Sequence, residues 1–493
     1  MEKLDKPTHR RRRRRSAASG SGASRPLFLR VTDPILRWGP LALLAFAPLA
    51  WGSVESWSEM VVVAGSCAIG AVWLLRLMFY PDCCDADRSA GGRIGSWSAG
   101  LHIPLLAVLG VGVLQLLPLG PLVAALSPIG AEIQRQAGLD SGALTFSMAR
   151  QETLRALALF AGYSLLFFAV LEGLHGREEV RRFAMAFVIL GFAHALGGIL
   201  WHYKDAGRVY WDSTTRENPF GPYINRNHFA CLMGMTVPLG IGFLLSIGHR
   251  RPTAAGNPGS HDECAAPAPV AESGPKRLLI GFVVAVMAGA LGLSLSRGGL
   301  VSTFTAISIL AAAVGARRLT RGHLRMVATA VAGSLVFTFW LVAQPLFSRL
   351  GSVVDPASME SRVWMWADTL RLAADFPLFG AGFGTFAEIY PSYQTALTKF
   401  RVSDAHNDWV QLLAEGGLAG TLAVLAVVGV YAAAAVKRLV RRRDREAIFL
   451  ALGGLGGLLA FLLHSFVEFN AHIPANALWF TVLAALTLKT LRR

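Results

Sequence analysis

The sequence predicts an all-α polytopic membrane protein, a bundle of about twelve transmembrane helices. Three observations predict it. Of 493 residues, 53% are hydrophobic and only 16% are charged, where a soluble chain carries about 25%. Several apolar runs reach the roughly 20 residues that cross a bilayer. The basic residues that bring the net charge to +16 sit in short clusters between those runs. That distribution orients membrane helices and argues against nucleic acid as a partner.

Taken in order, residues 1–30 read as a disordered basic tail with an unbroken arginine run, Arg10 to Arg15. Its first role is to hold the N-terminus inside, and it can also touch anionic head groups. Residues 31–493 read as one transmembrane domain. The expected spans are about 34–53, 59–79, 100–118, 153–172, 183–201, 226–247, 278–295, 299–316, 326–343, 408–436, 446–464 and 475–490. With the N-terminus inside, the inner loops collect Arg76, Arg177, Arg181, Arg182, Lys276, Arg277, Arg317, Arg318 and the run Lys437 to Arg445. The outer loops 52–58 and 465–474 hold no Lys or Arg. Both termini are therefore expected in the cytoplasm.

The longest outer element is the loop 344–407, between the ninth and tenth spans. Residues 119–152, with Gln134, Arg135 and Arg150, are expected to include a helix on the membrane surface. The inner loop 248–277, rich in Ala, Pro, Gly and Ser, reads as a flexible linker. Cys67 and Cys231 fall in apolar runs, and Cys83, Cys84 and Cys264 in inner loops. They make no disulfide framework and no zinc-ligand spacing, so no metal is expected. No G-x-x-x-x-G-K-[ST] loop occurs, so nothing in the chain points to ATP.

The chemistry-bearing residues cluster on the outer side. His406, followed by Asn407 and Asp408, stands at the start of a long apolar helix that Ser403 or Asp404 can cap. The partial positive charge of a helix start favours a neutral imidazole, which can act as general base; the competing role is an interfacial histidine with no chemistry. Asn225, Arg226, Asn227 and His228 are four consecutive polar residues at a helix mouth. They suit an anionic phosphate or, alternatively, cap the helix while Arg226 reaches head groups. Arg297, in Ser294-Leu-Ser-Arg-Gly-Gly-Leu300, lies between two apolar runs, where an arginine is costly without a partner or cavity. Arg362 opens an amphipathic stretch with Trp364 and Trp366, which either stack on sugar rings or anchor the loop. Gly380, Gly382 and Gly384 read as turns that shape a pocket, because no strand–helix unit surrounds them. Glu415 either lines the cavity or pairs with an arginine, and Glu468, Asn470 and His472 either complete its wall or form a polar cap.

These residues resemble the O-antigen ligase/polymerase superfamily of bacterial membrane glycosyltransferases. The resemblance rests on Tyr223-Ile-Asn-Arg-Asn-His-Phe-Ala230, Ser296-Arg-Gly-Gly-Leu300, Arg362 with Trp366, Pro377-Leu-Phe-Gly-Ala-Gly-Phe-Gly-Thr-Phe386, Ala405-His-Asn-Asp-Trp-Val-Gln-Leu-Leu-Ala-Glu415 and His464-Ser-Phe-Val-Glu-Phe-Asn470. It spans roughly residues 210–475; the N-terminal third agrees only in hydropathy. It implies a GT-C-like fold in the bacterial inner membrane with a large periplasmic loop. It also implies an enzyme that needs no metal or cofactor and moves a glycan from undecaprenyl pyrophosphate to an acceptor hydroxyl. The acceptor would be lipid A-core, a growing polysaccharide or protein Ser/Thr. His406 matches the family's base and Arg297 its pyrophosphate-gripping arginine, with Arg226 and Arg362 as further candidates. Arg226 stands between two asparagines where many relatives have another residue. Asn225, Asn227, His228, Asn407 and Glu415 are the expected pocket residues. The reading from another class is a non-enzymatic transporter of polyprenyl-linked glycans. It predicts repeated halves and broken helices at mid-membrane, and no internal repeat is present.

Overall fold

Inside a bilayer each backbone N–H and C=O must be satisfied within its own segment, so long apolar runs become helices. The computed structural model describes residues 26–80, 98–204, 219–247, 273–316, 356–395 and 401–492. These form α1 (Leu27–Leu49), α2 (Ser56–Phe79), α3 (Ser98–Leu116), α4 (Gly120–Leu126), α5 (Pro128–Gln136), α6 (Arg150–Gly173), α7 (Gly176–Lys204), α8 (Arg226–Ser246), α9 (Ser273–Leu293), α10 (Arg297–Ala316), α11 (Pro356–Asp375), α12 (Phe386–Ile389), α13 (Asp408–Arg441), α14 (Arg445–His464) and α15 (Pro474–Leu491). No strand occurs among the described residues.

Seven of these helices, α2, α6, α7, α8, α9, α13 and α14, are long and apolar enough to cross a membrane. The pair α3 and α4, bent by 105°, passes the same test together, and α10 has a shorter apolar stretch. Helices cover eleven of the twelve expected spans. The twelfth, 326–343, lies outside the described residues. So do most of the N-terminal tail, residues 248–272 of the inner loop, residues 344–355 of the outer loop, and Cys83, Cys84 and Cys264. The reversal before Arg297 is a true division. Leu295 adopts a φ of 55°, and the Ser296 hydroxyl caps α10 by accepting from Gly299 N at 3.2 Å.

Among the seven long apolar helices α8 and α14 are the most enclosed, and small residues let their backbones touch. A Cβ at Gly242 would stand 2.5 Å from the Phe449 carbonyl oxygen, and one at Gly457 would stand 2.4 Å from that of Met235. α13 is the opposite case. Leu418, Leu422, Leu425, Val436 and Val440 leave its outer side exposed and apolar, a surface suited to lipid.

The two ends of the bundle differ in kind. At one end Arg37 pairs with Glu179 (2.5 Å), Arg76 with Asp33 (2.5 Å), Arg177 with Asp444 (3.2 Å) and Arg181 with Glu446 (3.2 Å). Those pairs tie α1, α2, α7 and the start of α14 together where the sequence placed its inner basic clusters. The other end gathers the starts of α8, α10, α13 and α15 with the end of α14, and it carries the remaining polar motifs.

Residues 119–149 include two short helices, α4 and α5. Gln134 is buried there: its amide donates to the Thr145 carbonyl at 2.7 Å and accepts from Thr145 N at 3.0 Å.

α13 is broken at Gly417, whose φ of 60° and ψ of −164° are not helical. The loop before α12 threads through that break. Leu418 N and Ala419 N donate to the carbonyls of Pro377 and Leu378 at 2.8 and 3.0 Å. Ala381 N and Gly382 N donate to those of Ala414 and Glu415 at 2.9 and 3.0 Å. The polar groups released by the break are thereby satisfied, as burial requires. Gly380, Gly382 and Gly384 have φ values of 74°, 113° and 76°, so the turns expected there are present. Gln115, at the end of α3, completes the junction by donating to Phe379 O (2.6 Å) and Glu415 O (2.9 Å) and accepting from Phe383 N (3.0 Å).

Candidate active site

The Asp404–Asp408 segment is organised differently from its expected form. The cap of α13 is Asn407, whose side-chain oxygen accepts from Trp409 N at 3.1 Å and Val410 N at 3.2 Å. Ser403 and Asp404 bond to each other at 2.8 Å and do not cap the helix. The reason is His406, which takes a φ of 50° and turns the chain one residue before the cap. That conformation costs a non-glycine residue on the order of 1–2 kcal/mol, so surrounding contacts must hold it. Trp366 on α11 donates from Nε1 to the Ala405 carbonyl at 2.9 Å, and Ala405 N donates to Gln411 Oε1 at 2.9 Å. Trp366 therefore positions the turn, while Trp364, two residues away, is about half exposed. Replacing Trp366 by phenylalanine leaves the buried Ala405 carbonyl without its donor. We expect destabilisation of about 1–3 kcal/mol, read as a lower melting temperature in detergent.

The loop behind this turn has a small core of its own, built from Leu372, Phe376, Phe386, Tyr390 and Ala405. Asp368 organises it, bonding Arg371, Thr395 N (3.0 Å) and the Tyr390 hydroxyl (3.3 Å). The segment that carries His406 is thus mounted on a packed platform, which fixes side-chain geometry better than a free loop.

Glu468, between α14 and α15, is the residue on which the site converges. Its side chain is 1% exposed. Oε2 lies 3.1 Å from His406 Nδ1. Oε1 accepts from Arg362 Nη2 at 2.7 Å and from Asn227 Nδ2 at 2.6 Å. Arg362 also donates to the Val467 carbonyl at 3.0 Å. Burial pushes the Glu468 carboxyl up. The His406 hydrogen bond and the charges of His406, His228 and Arg362 outweigh it and hold the group well below the usual carboxylate range. Phe469 stands edge-on between two imidazoles, 4.8 Å from His406 and 4.6 Å from His228.

Four expected residues are therefore brought together here: His406, Arg362, Asn227 and, across Phe469, His228. Asn225 caps α8 by accepting from Asn227 N at 2.8 Å. Arg226 is half-buried as the first residue of that helix. Arg297 is exposed and has no hydrogen-bond or ion-pair partner among the described residues. It opens α10 one residue before Gly298, which packs against Val467 and His464; a Cβ there would stand 2.9 Å from Val467 Cγ2. Arg297 thus begins beside the residue that precedes Glu468. Among the described residues no group of three His, Cys, Asp or Glu side chains is arranged to hold a metal.

Glu415 faces elsewhere. It is buried, and its carboxylate accepts from Gly384 N (2.9 Å) and Phe386 N (3.1 Å), so it clamps the glycine loop and pairs with no arginine among the described residues. Beside it, His472 Nδ1 lies 2.9 Å from Asp408 Oδ1, and Nε2 lies 3.7 Å from Glu415. Burial acts against the imidazolium, yet the hydrogen bonds and charges of Asp408 and Glu415 raise His472 well above its ordinary 6.5. A raised folded-state value means this pairing stabilises fully below 6.5 and is lost as pH rises through the folded value. The melting-temperature advantage of wild type over His472→Gln is expected to be largest below pH 6.5 and to shrink above it. An advantage independent of pH would contradict the assignment.

Sequence reasoning named Glu468 only as a wall or cap residue. The available signal was a carboxylate in a short loop between two apolar helices, a costly placement without partners.

No curated protein matches the chain. Residues 282–425 match the family model described as O-antigen ligase. That stretch holds Arg297, Arg362 and His406, so the resemblance to the O-antigen ligase superfamily is borne out over the part of the chain that carries these three candidate residues.

Proposed function

We propose that the protein is a membrane glycosyltransferase that moves a glycan from undecaprenyl pyrophosphate to an acceptor hydroxyl on the periplasmic face of the inner membrane. One observation carries the reading: an imidazole and a guanidinium, His406 and Arg362, meet on a buried carboxylate at the bundle end opposite the basic clusters.

The chemistry asks for little more. The ring nitrogen of His406 not engaged by Glu468 accepts the proton of the acceptor hydroxyl. The hydroxyl oxygen forms its bond to the anomeric carbon as the bond to pyrophosphate breaks, and pyrophosphate leaves with the electron pair. Arg297 and Arg362, with Arg226 at the neighbouring helix mouth, stabilise the charge that grows on the leaving group. Asn227 and Asn407 hold the frame, the first through Glu468 and the second by capping α13.

O-antigen ligase-like transfer, for lipopolysaccharide or exopolysaccharide assembly, is the first choice. Repeat-unit polymerisation and transfer to protein Ser/Thr use the same site chemistry with another acceptor. The transporter reading is less well supported: the polar groups gather at one bundle end, and the broken helix α13 has its released backbone groups filled by the chain's own loop.

Glycan profiles of a deletion strain and a His406→Ala strain test the proposal, with the sugar-bearing acceptor identified by mass spectrometry. Both strains are expected to lose the same product. An alanine strain with normal glycan beside a deletion strain that lacks it overturns the assignment of His406.

A further inference from the structure

We infer that Glu468 is the positioning residue of His406: it fixes which ring nitrogen carries the proton, and because it is shared with Arg362 it couples the strength of the base to occupation of the phosphate site. The second half rests on the donor proposed above.

A carboxylate only accepts hydrogen bonds. With Oε2 3.1 Å from His406 Nδ1, that nitrogen holds the hydrogen, and the lone pair of neutral His406 is on Nε2. The same division of labour between a buried carboxylate and an imidazole orients the base in hydrolytic triads. Phe469 restricts the ring from the side at 4.8 Å.

The coupling follows from the other oxygen. Oε1 takes hydrogen bonds from Arg362 and Asn227, and of these two only Arg362 is a cation. An arginine that turns toward a phosphate leaves a carboxylate that is 1% exposed with no permanent positive charge on it. Such a buried anion draws a proton to its remaining ionisable partner, His406. Donor binding thus makes His406 a stronger base when a nucleophile is needed. The other groups that share this electrostatic neighbourhood are His228 on α8, His464 at the end of α14 and Asp404 on the same segment as His406. None of these three bonds the His406 ring.

The test is nitrogen-15 NMR of histidine-labelled full-length protein in detergent, with His406→Gln used to assign the signal. Wild type is expected to show neutral His406 protonated at Nδ1; protonation at Nε2 overturns the proposal without any variant. In Glu468→Gln the Nδ1 preference is expected to vanish, and an unchanged tautomer also overturns it. Titration with inorganic pyrophosphate is expected to move the His406 nitrogen-15 signals toward those of imidazolium more in wild type than in Arg362→Gln; equal movements overturn the coupling. In transfer assays Glu468→Gln is expected to lower kcat about 10²–10⁴-fold with little change in the donor KM, and Glu468→Asp to recover part of the loss. Should the NMR results hold while His406→Ala transfers normally, the proposed function fails and the Glu468–His406 arrangement stands.

Discussion

His406→Ala is expected to lower the rate of glycan transfer by about 10²–10⁴-fold. An unassisted hydroxyl is a poor nucleophile, and this fold-change is the usual contribution of a positioned base. It corresponds to roughly 3–5 kcal/mol of barrier. On the proposed mechanism, what remains is the electrostatic contribution of the arginines to the departing pyrophosphate. The substitution spares them, because Arg362 keeps its bonds to Val467 and Glu468. Donor binding should therefore change little, and the loss should fall on kcat. Alanine keeps a Cβ and so the cost of a φ of 50°, but the bonds from Trp366 to the Ala405 carbonyl and from Ala405 N to Gln411 that hold the turn are untouched. The melting temperature is accordingly expected to stay close to that of wild type. Assays of initial rate against donor concentration, beside a thermal melt, distinguish a missing base from a collapsed site. A fall in donor affinity with kcat preserved would assign His406 to binding.

Gly417→Ala is expected to have the largest effect on stability. The φ of 60° with ψ of −164° belongs to a region that glycine occupies almost alone, at about 1–3 kcal/mol for other residues. The added Cβ would also stand 2.4 Å from Gly380 N and 2.6 Å from the Leu378 carbonyl. Those are backbone atoms held on both sides of the break by the bonds to Pro377, Leu378, Ala414 and Glu415, so they cannot step aside singly. Destabilisation above about 3 kcal/mol follows. It should be accompanied by proteolytic exposure of residues 377–407. Gly380→Ala should behave alike, because its Cβ would stand 2.2 Å from the Glu415 carbonyl oxygen at a φ of 74°. Gly429→Ala, on the same helix with nothing within 4 Å, serves as control. It is expected to be neutral or stabilising by up to about 1 kcal/mol. If all three variants melted together, the threaded break would not be a structural keystone.

Much of the site was readable residue by residue but not as an arrangement. The His406–Asp408 motif announced a helix start, and α13 begins at Asp408. Which side chain caps it was not readable, because Ser403, Asp404 and Asn407 are all good caps and only the turn at His406 selects among them. Glu415 looked like a cavity carboxylate because its position on the helix is all that local pattern reports. Its two backbone partners, Gly384 and Phe386, come from a loop about thirty residues earlier.

Composition and hydropathy by themselves determined that this is a helical membrane protein whose basic clusters fall between its apolar runs. Those properties are sums over local stretches, and the cost of burying charge in lipid leaves few alternatives. Only the tertiary structure decided that Glu468 joins His406 to Arg362 and Asn227, across 62, 106 and 241 residues of chain, and that α13 opens at Gly417 to admit the glycine loop. Contacts over such separations depend on how helices dock. No periodicity in one segment records which partner another segment will bring.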